Sequence, residues 1–335
     1  MKISVFSVMD HYPRNARSVP ELYQEVTHQV ILADELGYDT FFSAEHHFHE
    51  YGVVPNPAVL LASLASRTRR IRLGTAISVL AFRNPLEVAE DYAMLDVLSG
   101  GRLTLGVGSG YLKHEFAGYR IDQAEKRERF DEALVLLERL LKGERVTHDG
   151  RFNTLDAVRI NVQPVQQEVP LYVAILRKEA AYHVGRQGRR MMCVPYAALD
   201  SFEEIGEMIA AFHRGREDAG LTDHRDAAAV ALHTHVAGSD EEARRNAAEA
   251  FDLYVATRLY AKSAVYDDVI RTGLALFGST ETVSVKLRRL EQMGLDHVMT
   301  LQNFGGLSDE LVQRSMRTLM ADALPRLATS AIPAI

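Results

Sequence analysis

Short runs dense in β-branched and aromatic residues alternate along the whole chain with longer stretches in which apolar residues return every three or four positions. The short runs predict strands over Lys2 to Val8, Asp39 to Ser43, Ile71 to Val79, Leu103 to Val107, Leu171 to Ala174, Arg190 to Val194, Ala229 to Val236 and His297 to Leu301. The longer ones predict helices over Glu21 to Leu36, Pro57 to Ala65, Pro85 to Leu98, Lys126 to Leu141, Phe202 to Arg216, Glu241 to Tyr254, Glu281 to Met293 and Ser308 to Leu324. Pro57 and Pro85 suit a first helical turn. Asp200 or Ser201, Asp240 and Ser308 are candidate N-caps, and Gly37 and Gly294 read as C-terminal stops.

Strands alternating with helices imply a parallel sheet, and eight strands match a (β/α)8 TIM barrel better than an open doubly wound sheet, the runner-up. No Gly/Ser-rich or Pro-rich linker interrupts residues 1–335, so one domain is expected. Two connections exceed ordinary length and read as insertions: Gly143 to Pro170, after the fourth helix, and Arg258 to Phe277, before the last βα pair. The second lies beside Tyr254 and carries Tyr260 and Tyr266, candidates either to line a substrate cavity beneath a lid or to pack the insertion down.

Composition narrows the function classes. The chain is 47% hydrophobic and 25% charged, that of a globular protein with a sizeable core, and its net charge of −7 disfavours nucleic acid and anionic membranes as partners. Cys193 is the single cysteine, which excludes an intrachain disulfide and a thiolate metal cage. With no signal-like leader and no apolar run near membrane-spanning length, a cytoplasmic, unprocessed protein is expected.

Four segments carry candidate chemistry. The second strand runs into Ala44-Glu45-His46-His47-Phe48-His49, placing a carboxylate and three imidazoles at a strand's C-terminal end, the catalytic face of such a barrel. An imidazole oriented by a carboxylate suits proton transfer near neutral pH. A metal site or a plain hydrogen-bonded loop are the rivals. The fourth strand empties into Gly106-Val107-Gly108-Ser109-Gly110, whose spacing fails the dinucleotide fingerprint but allows a flat ligand close to the backbone. The small residues Gly74, Thr75 and Ala76 leave room for a ring or answer bulky neighbours in the barrel. Ile175-Leu176-Arg177-Lys178 at a helix start offers cations for a phosphate, and Arg127 is a candidate to swing toward the same phosphate. Arg127 can equally pair with Asp131 four residues on.

Taken together, Ala44 to Phe48, Arg72 to Ala76, Asn84-Pro85-Leu86, Asp96 to Arg102, Gly106 to Gly110 and the closing run Gly294 to Leu307 resemble the bacterial luciferase-like, flavin-dependent oxidoreductase family. The resemblance implies a barrel that binds FMN at the C-terminal strand ends. It also implies a monooxygenase that takes reduced FMN from a separate NAD(P)H:flavin reductase, traps O2 as a C4a-hydroperoxyflavin and oxidises a small organic substrate. His46 matches the family's active-site histidine, with Glu45 beside it. Gly74, Thr75, Ala76 and Ile77 would lie along the flavin with Gly108, Ser109 and Gly110, and Ser109, Arg127, Ile175, Leu176, Arg177 and Lys178 would surround its phosphate. A cis peptide between Ala76 and Ile77 and a homodimer are implied as well. Gly108 stands where the luciferases hold a reactive cysteine, against light emission. One branch of the family transfers hydride with a deazaflavin, and its sugar phosphate dehydrogenases place an acid where this chain has Tyr111. That branch and a catalytically silent flavin-binding partner protein are the alternatives.

Overall fold

The computed structural model describes residues 1–259 and 264–329. Eight parallel strands close into a barrel: β1 Lys2–Ser7, β2 Thr40–Ser43, β3 Arg72–Thr75, β4 Leu103–Gly108, β5 Leu171–Ile175, β6 Arg190–Cys193, β7 Ala228–Ala237 and β8 His297–Leu301. The ring runs from β1 to β7 in sequence order, β8 lies between β7 and β1, and the β6–β7 ladder from Met191↔Ala228 to Cys193↔Val230 belongs to the closure. Because helices cover the outer face, strands are buried on both sides and read as continuous apolar runs; all six residues of β4 and all ten of β7 are buried.

Each of the eight expected strands is present, with two differences. The third breaks after Thr75, where the Ala76–Ile77 peptide is cis, and resumes as Ser78–Val79 against β4. β7 is longer than expected because its second half pairs with an additional strand, Leu276–Ser279, which begins at the end of the segment read as an insertion. That segment also holds the helix Tyr266–Thr272, and Tyr266 stacks on Phe277 at 5.1 Å. Tyr260 lies outside the described residues. The other insertion is an antiparallel hairpin, Val146–Asp149 with Thr154–Val158.

Helices Pro57–Ala65 and Lys126–Leu141 match their expected bounds, and the others, the last apart, shift by one or two residues at their ends. Gly37 stops the first helix at φ 82°. Ser239, not Asp240, caps the helix Asp240–Ala256, its hydroxyl accepting from the Glu242 N–H at 3.1 Å. Asp200 and Ser201 do not start the next helix before it: Phe202 takes the N-cap position of Glu203–Asp218 with no side-chain cap, its ring buried and its N–H donated to Thr272 O at 2.9 Å. Burial of an aromatic side chain outweighs one capping bond there. Ser308 caps Asp309–Thr318, and the expected longer helix widens into a π-type turn at Leu319–Ala323.

The N-terminal rim is tied by polar contacts rather than by chemistry. Asp226 accepts from Tyr172 (2.7 Å) and His297 Nδ1 (3.0 Å) through one oxygen and from Lys2 Nζ (2.9 Å) through the other, joining β1, β5 and β8. Burial raises its proton affinity, yet the bonds from His297, Lys2 and Tyr172 hold the carboxyl well below the usual range.

Two buried histidines of β7 make stability depend on pH. Burial, with the Arg258 charge adding to it, pushes His233 down to about 3; burial pushes His235 down to about 4. Both lie below the unfolded value near 6.5, so the unfolded chain takes up protons first, and stability held above that pH is lost as pH falls through it. Each imidazole should cost about 2 kcal/mol between pH 7 and pH 5. Urea unfolding of His233→Leu at the two pH values should show that loss reduced by one imidazole's share; an unchanged pH slope would exclude His233 as its source.

Candidate active site

Because every barrel strand is parallel, all eight C-terminal ends meet at one mouth, and a cavity of about 450 Å³ lies there. Its walls include Val8 beyond β1, Glu45 and His46 beyond β2, Ala76 and Ile77, Gly108 to Gly110, Ile175 to Arg177, Cys193 and Met299.

Two imidazole–carboxylate pairs stand on one side. His46 Nδ1 lies 3.1 Å from Glu115 Oε1, and the same oxygen accepts the His47 backbone N–H at 3.0 Å. Glu115 arrives on the helix Lys113–Tyr119 and is buried. Glu45 serves the other histidine: its Oε1 is 3.1 Å from His47 Nε2, and its Oε2 accepts from Val79 N (3.1 Å) and Ser78 Oγ (3.3 Å). The Tyr119 hydroxyl lies 3.1 Å from His47 Nδ1. Burial pulls His46 below its ordinary value, against the opposing pull of Glu115. The imidazole is therefore neutral at pH 7. With Glu115 accepting from Nδ1–H, the lone pair of the ring lies on Nε2.

The loop that carries these histidines is closely seated. His46 N donates to Val54 O at 3.1 Å, and a Cβ on Gly52 would lie 2.7 Å from Val8 O and 3.2 Å from His46 Cβ. Tyr51 presses on the His46 ring edge to face at 4.5 Å, and its hydroxyl pairs with that of Tyr111 at 2.6 Å. Behind them Arg258 is sandwiched between the rings of Tyr51 (3.7 Å) and Tyr254 (3.9 Å), donating to Tyr51 O and Tyr254 O. The buried guanidinium is stabilised by two aromatic faces.

The glycine turn divides by role. A Cβ on Gly106 would fall 2.2 Å from Thr75 O, so Gly106 serves strand packing. Gly108 faces the cavity beside Ile77 and Ala174, and Gly110 adopts φ 73°. Gly74 and Thr75 are not in the cavity wall: Gly74 accommodates the Phe42 ring, and Thr75 Oγ1 bridges Gly106, donating to its O at 2.7 Å and accepting from its N at 3.0 Å. The bulk of Phe42, invisible in the third strand's own sequence, explains the small residue.

The same wall contains four cations, Lys126, Arg127, Arg177 and Arg189, together with Ile175, Leu176 and Ser109. Arg127 Nε is 2.8 Å from Asp131 and Arg189 Nη2 is 3.1 Å from Glu138. Lys178 is not in the wall; its ammonium pairs with Glu204 at 2.9 Å. Tyr254 lines the cavity, whereas Tyr266 does not. Sequence reasoning did not find Glu115, Tyr51, Arg258, Lys126 or Arg189. Only the His-Glu pair at 114 and 115, just past the glycine turn, offered a signal. Among the described residues no group of His, Cys, Asp and Glu could hold a metal ion, and no helix is long and apolar enough to cross a membrane.

Residues 1–297 match the family model described as luciferase-like monooxygenase. The chain is 28% identical to limonene 1,2-monooxygenase of Rhodococcus erythropolis, over 77% of this chain and 69% of that protein. It is 29% identical to the F420-dependent glucose-6-phosphate dehydrogenase of Amycolatopsis mediterranei, over 59% and 61%. The crystal structure of the monooxygenase RslO1 from Streptomyces bottropensis superposes with a TM-score of 0.88 at 29% identity, covering 97% of this chain and 99% of that one.

The two inner glycines should separate in a mutational test. Gly106→Ala forces a Cβ against backbone and should cost about 1–3 kcal/mol of unfolding free energy. Gly108→Ala meets only the flexible end of Ile77 at 2.3 Å and should unfold within about 1 kcal/mol of the parent. Equal losses in the two denaturation curves would contradict this division.

Proposed function

The chain belongs to the luciferase-like monooxygenase family, and on that premise we propose that it is a flavin-dependent monooxygenase: it takes reduced FMN from a separate reductase and uses O2 to oxidise a small organic substrate. The observation that carries this reading is the make-up of the cavity wall, which brings His46, with the Tyr51 ring against it, together with the cations Lys126, Arg127 and Arg177 and an apolar lining. The family holds both FMN-dependent monooxygenases and deazaflavin-dependent dehydrogenases. In favour of the first are Tyr111 in place of an acid and the 29% identity with the monooxygenase RslO1 along nearly the whole chain.

The residues present fit FMN. Gly108 bares its backbone to the cavity beside Ile77, Val173, Ala174 and Met192, an apolar stretch for a flat ring, and Arg177 with Arg127 and Lys126 suits one terminal phosphate. Reduced FMN, when bound, supplies the electrons and the reaction with O2. The chain's own residues do the rest: the cations bind and orient, the apolar walls exclude water, and His46 Nε2 accepts or returns a proton. Glu45, bonded to His47, Ser78 and Val79, anchors the histidine loop to the third strand's continuation. A homodimer is supported by Val59, Met94, Val97 and Leu98, large apolar residues left exposed on helices Pro57–Ala65 and Pro85–Ser99.

His46→Ala should slow the reaction of bound reduced FMN with O2 by about 10²- to 10⁴-fold while leaving FMN affinity nearly intact. Stopped-flow mixing with O2 measures the first and anaerobic titration the second; an unchanged rate sinks the assignment.

Arg177→Ala should weaken reduced-FMN binding about tenfold, since a charge-assisted bond to phosphate contributes roughly 1.5–3 kcal/mol. Lys178→Ala, whose partner is Glu204, should not change it. The same titration with the reduced deazaflavin coenzyme tests the branch. Tighter deazaflavin binding with no reaction toward O2 would move the protein to hydride transfer, and binding of neither would leave a silent partner protein.

A further inference from the structure

Outside the expected pair of His46 and Glu45, one carboxylate touches the cavity histidine. We propose that Glu115 is the positioning residue of His46: it fixes the tautomer that leaves Nε2 as the cavity's proton acceptor and supplies the countercharge when Nε2 takes a proton. The inference rests on the role given to His46 above.

Glu115 Oε1 is held from two sides, 3.1 Å from His46 Nδ1 and 3.0 Å from the His47 backbone N–H. The second donor is main chain, so the oxygen cannot swing away without breaking the loop's own bond. Glu115 is only 2% exposed, which keeps the pair out of competition with water. The other groups around His46 work against protonation or stay neutral: burial and the Arg258 charge disfavour the imidazolium, His47 is its own neighbour and is bonded to Glu45, and Tyr51 meets the ring by its aromatic face. Glu115 is the acidic group, among the described residues, with a hydrogen bond to the His46 ring. The step it supports is a proton transfer alone. An O–H in the cavity gives its proton to Nε2, leaving an imidazolium beside the Glu115 carboxylate, and the proton returns by the reverse path, with no electrons exchanged.

Glu115→Gln separates charge from geometry. The His47 N–H requires an acceptor, so the amide oxygen stays in place and the tautomer with it, while the negative charge is lost. The test is ¹⁵N NMR of ring-labelled histidines in the flavin-free protein over a pH series, with His46→Gln identifying the signal. It is paired with the pH profile of O2 oxidation of bound reduced FMN. In the parent, His46 should show the Nδ1–H tautomer. In Glu115→Gln the tautomer should persist, the His46 pKa should fall by about one unit or more, and the oxidation rate should drop at least tenfold with its pH break moved the same way. A tautomer of the opposite kind in the parent, an unchanged His46 pKa, or an unchanged rate and pH break in the variant would each overturn the proposal. If His46→Ala oxidises at the parental rate, the role of His46 fails instead, and the NMR arm still decides whether Glu115 governs its proton affinity.

Discussion

Closure of the barrel is the constraint on which the site depends. Parallel strands can be closed only if the last rejoin the first in register, and here β8 pairs with both β1 and β7 while Met191 to Cys193 join Ala228 to Val230. Once the ring is shut, every strand ends at the same mouth, and residues as far apart in sequence as Val8, His46, Gly108, Arg177 and Met299 become walls of one cavity. No local preference of any of these segments brings them together.

The two rims use the same type of contact for different ends. At the N-terminal rim a His–Asp pair, His297 with Asp226, is joined by Lys2 and Tyr172 and ties strand ends together. At the C-terminal rim two His–Glu pairs lie back to back, and only one of their imidazoles lines the cavity. His47 is pinned at both ring nitrogens, by Glu45 and by the Tyr119 hydroxyl, so it braces the loop, whereas His46 has one ring nitrogen pinned, by Glu115, and lines the cavity. Adjacent histidines in an extended segment point apart, which is how neighbours in sequence acquire such different surroundings.

Positive charge meets the cavity in two ways. Arg258 sits in an aromatic sandwich and lowers the proton affinity of His46 and His233, while Lys126, Arg127, Arg177 and Arg189 belong to the cavity wall itself. Ile77, Val173 and Met192 add apolar side chains to the same wall, so the cavity offers both apolar surface and positive charge.

The alternation of periods along the chain determined the eight strands and their helices, because apolar spacing and end signals act within a few residues of one another. Pro57, Pro85 and Gly37 do their work from inside their own elements. The same local reading found His46 and the glycine turn, since a polar or glycine-rich run directly after a strand is visible in one segment. What the tertiary structure alone decided are partnerships across long separations: Glu115 with His46, 69 residues apart, and Arg258 with Tyr51, 207 apart. It likewise turned Glu45 to His47, placed Lys178 against Glu204 and set Gly74 under Phe42. Such choices depend on which side chains the closed ring brings into contact, and a linear pattern carries no measure of that distance.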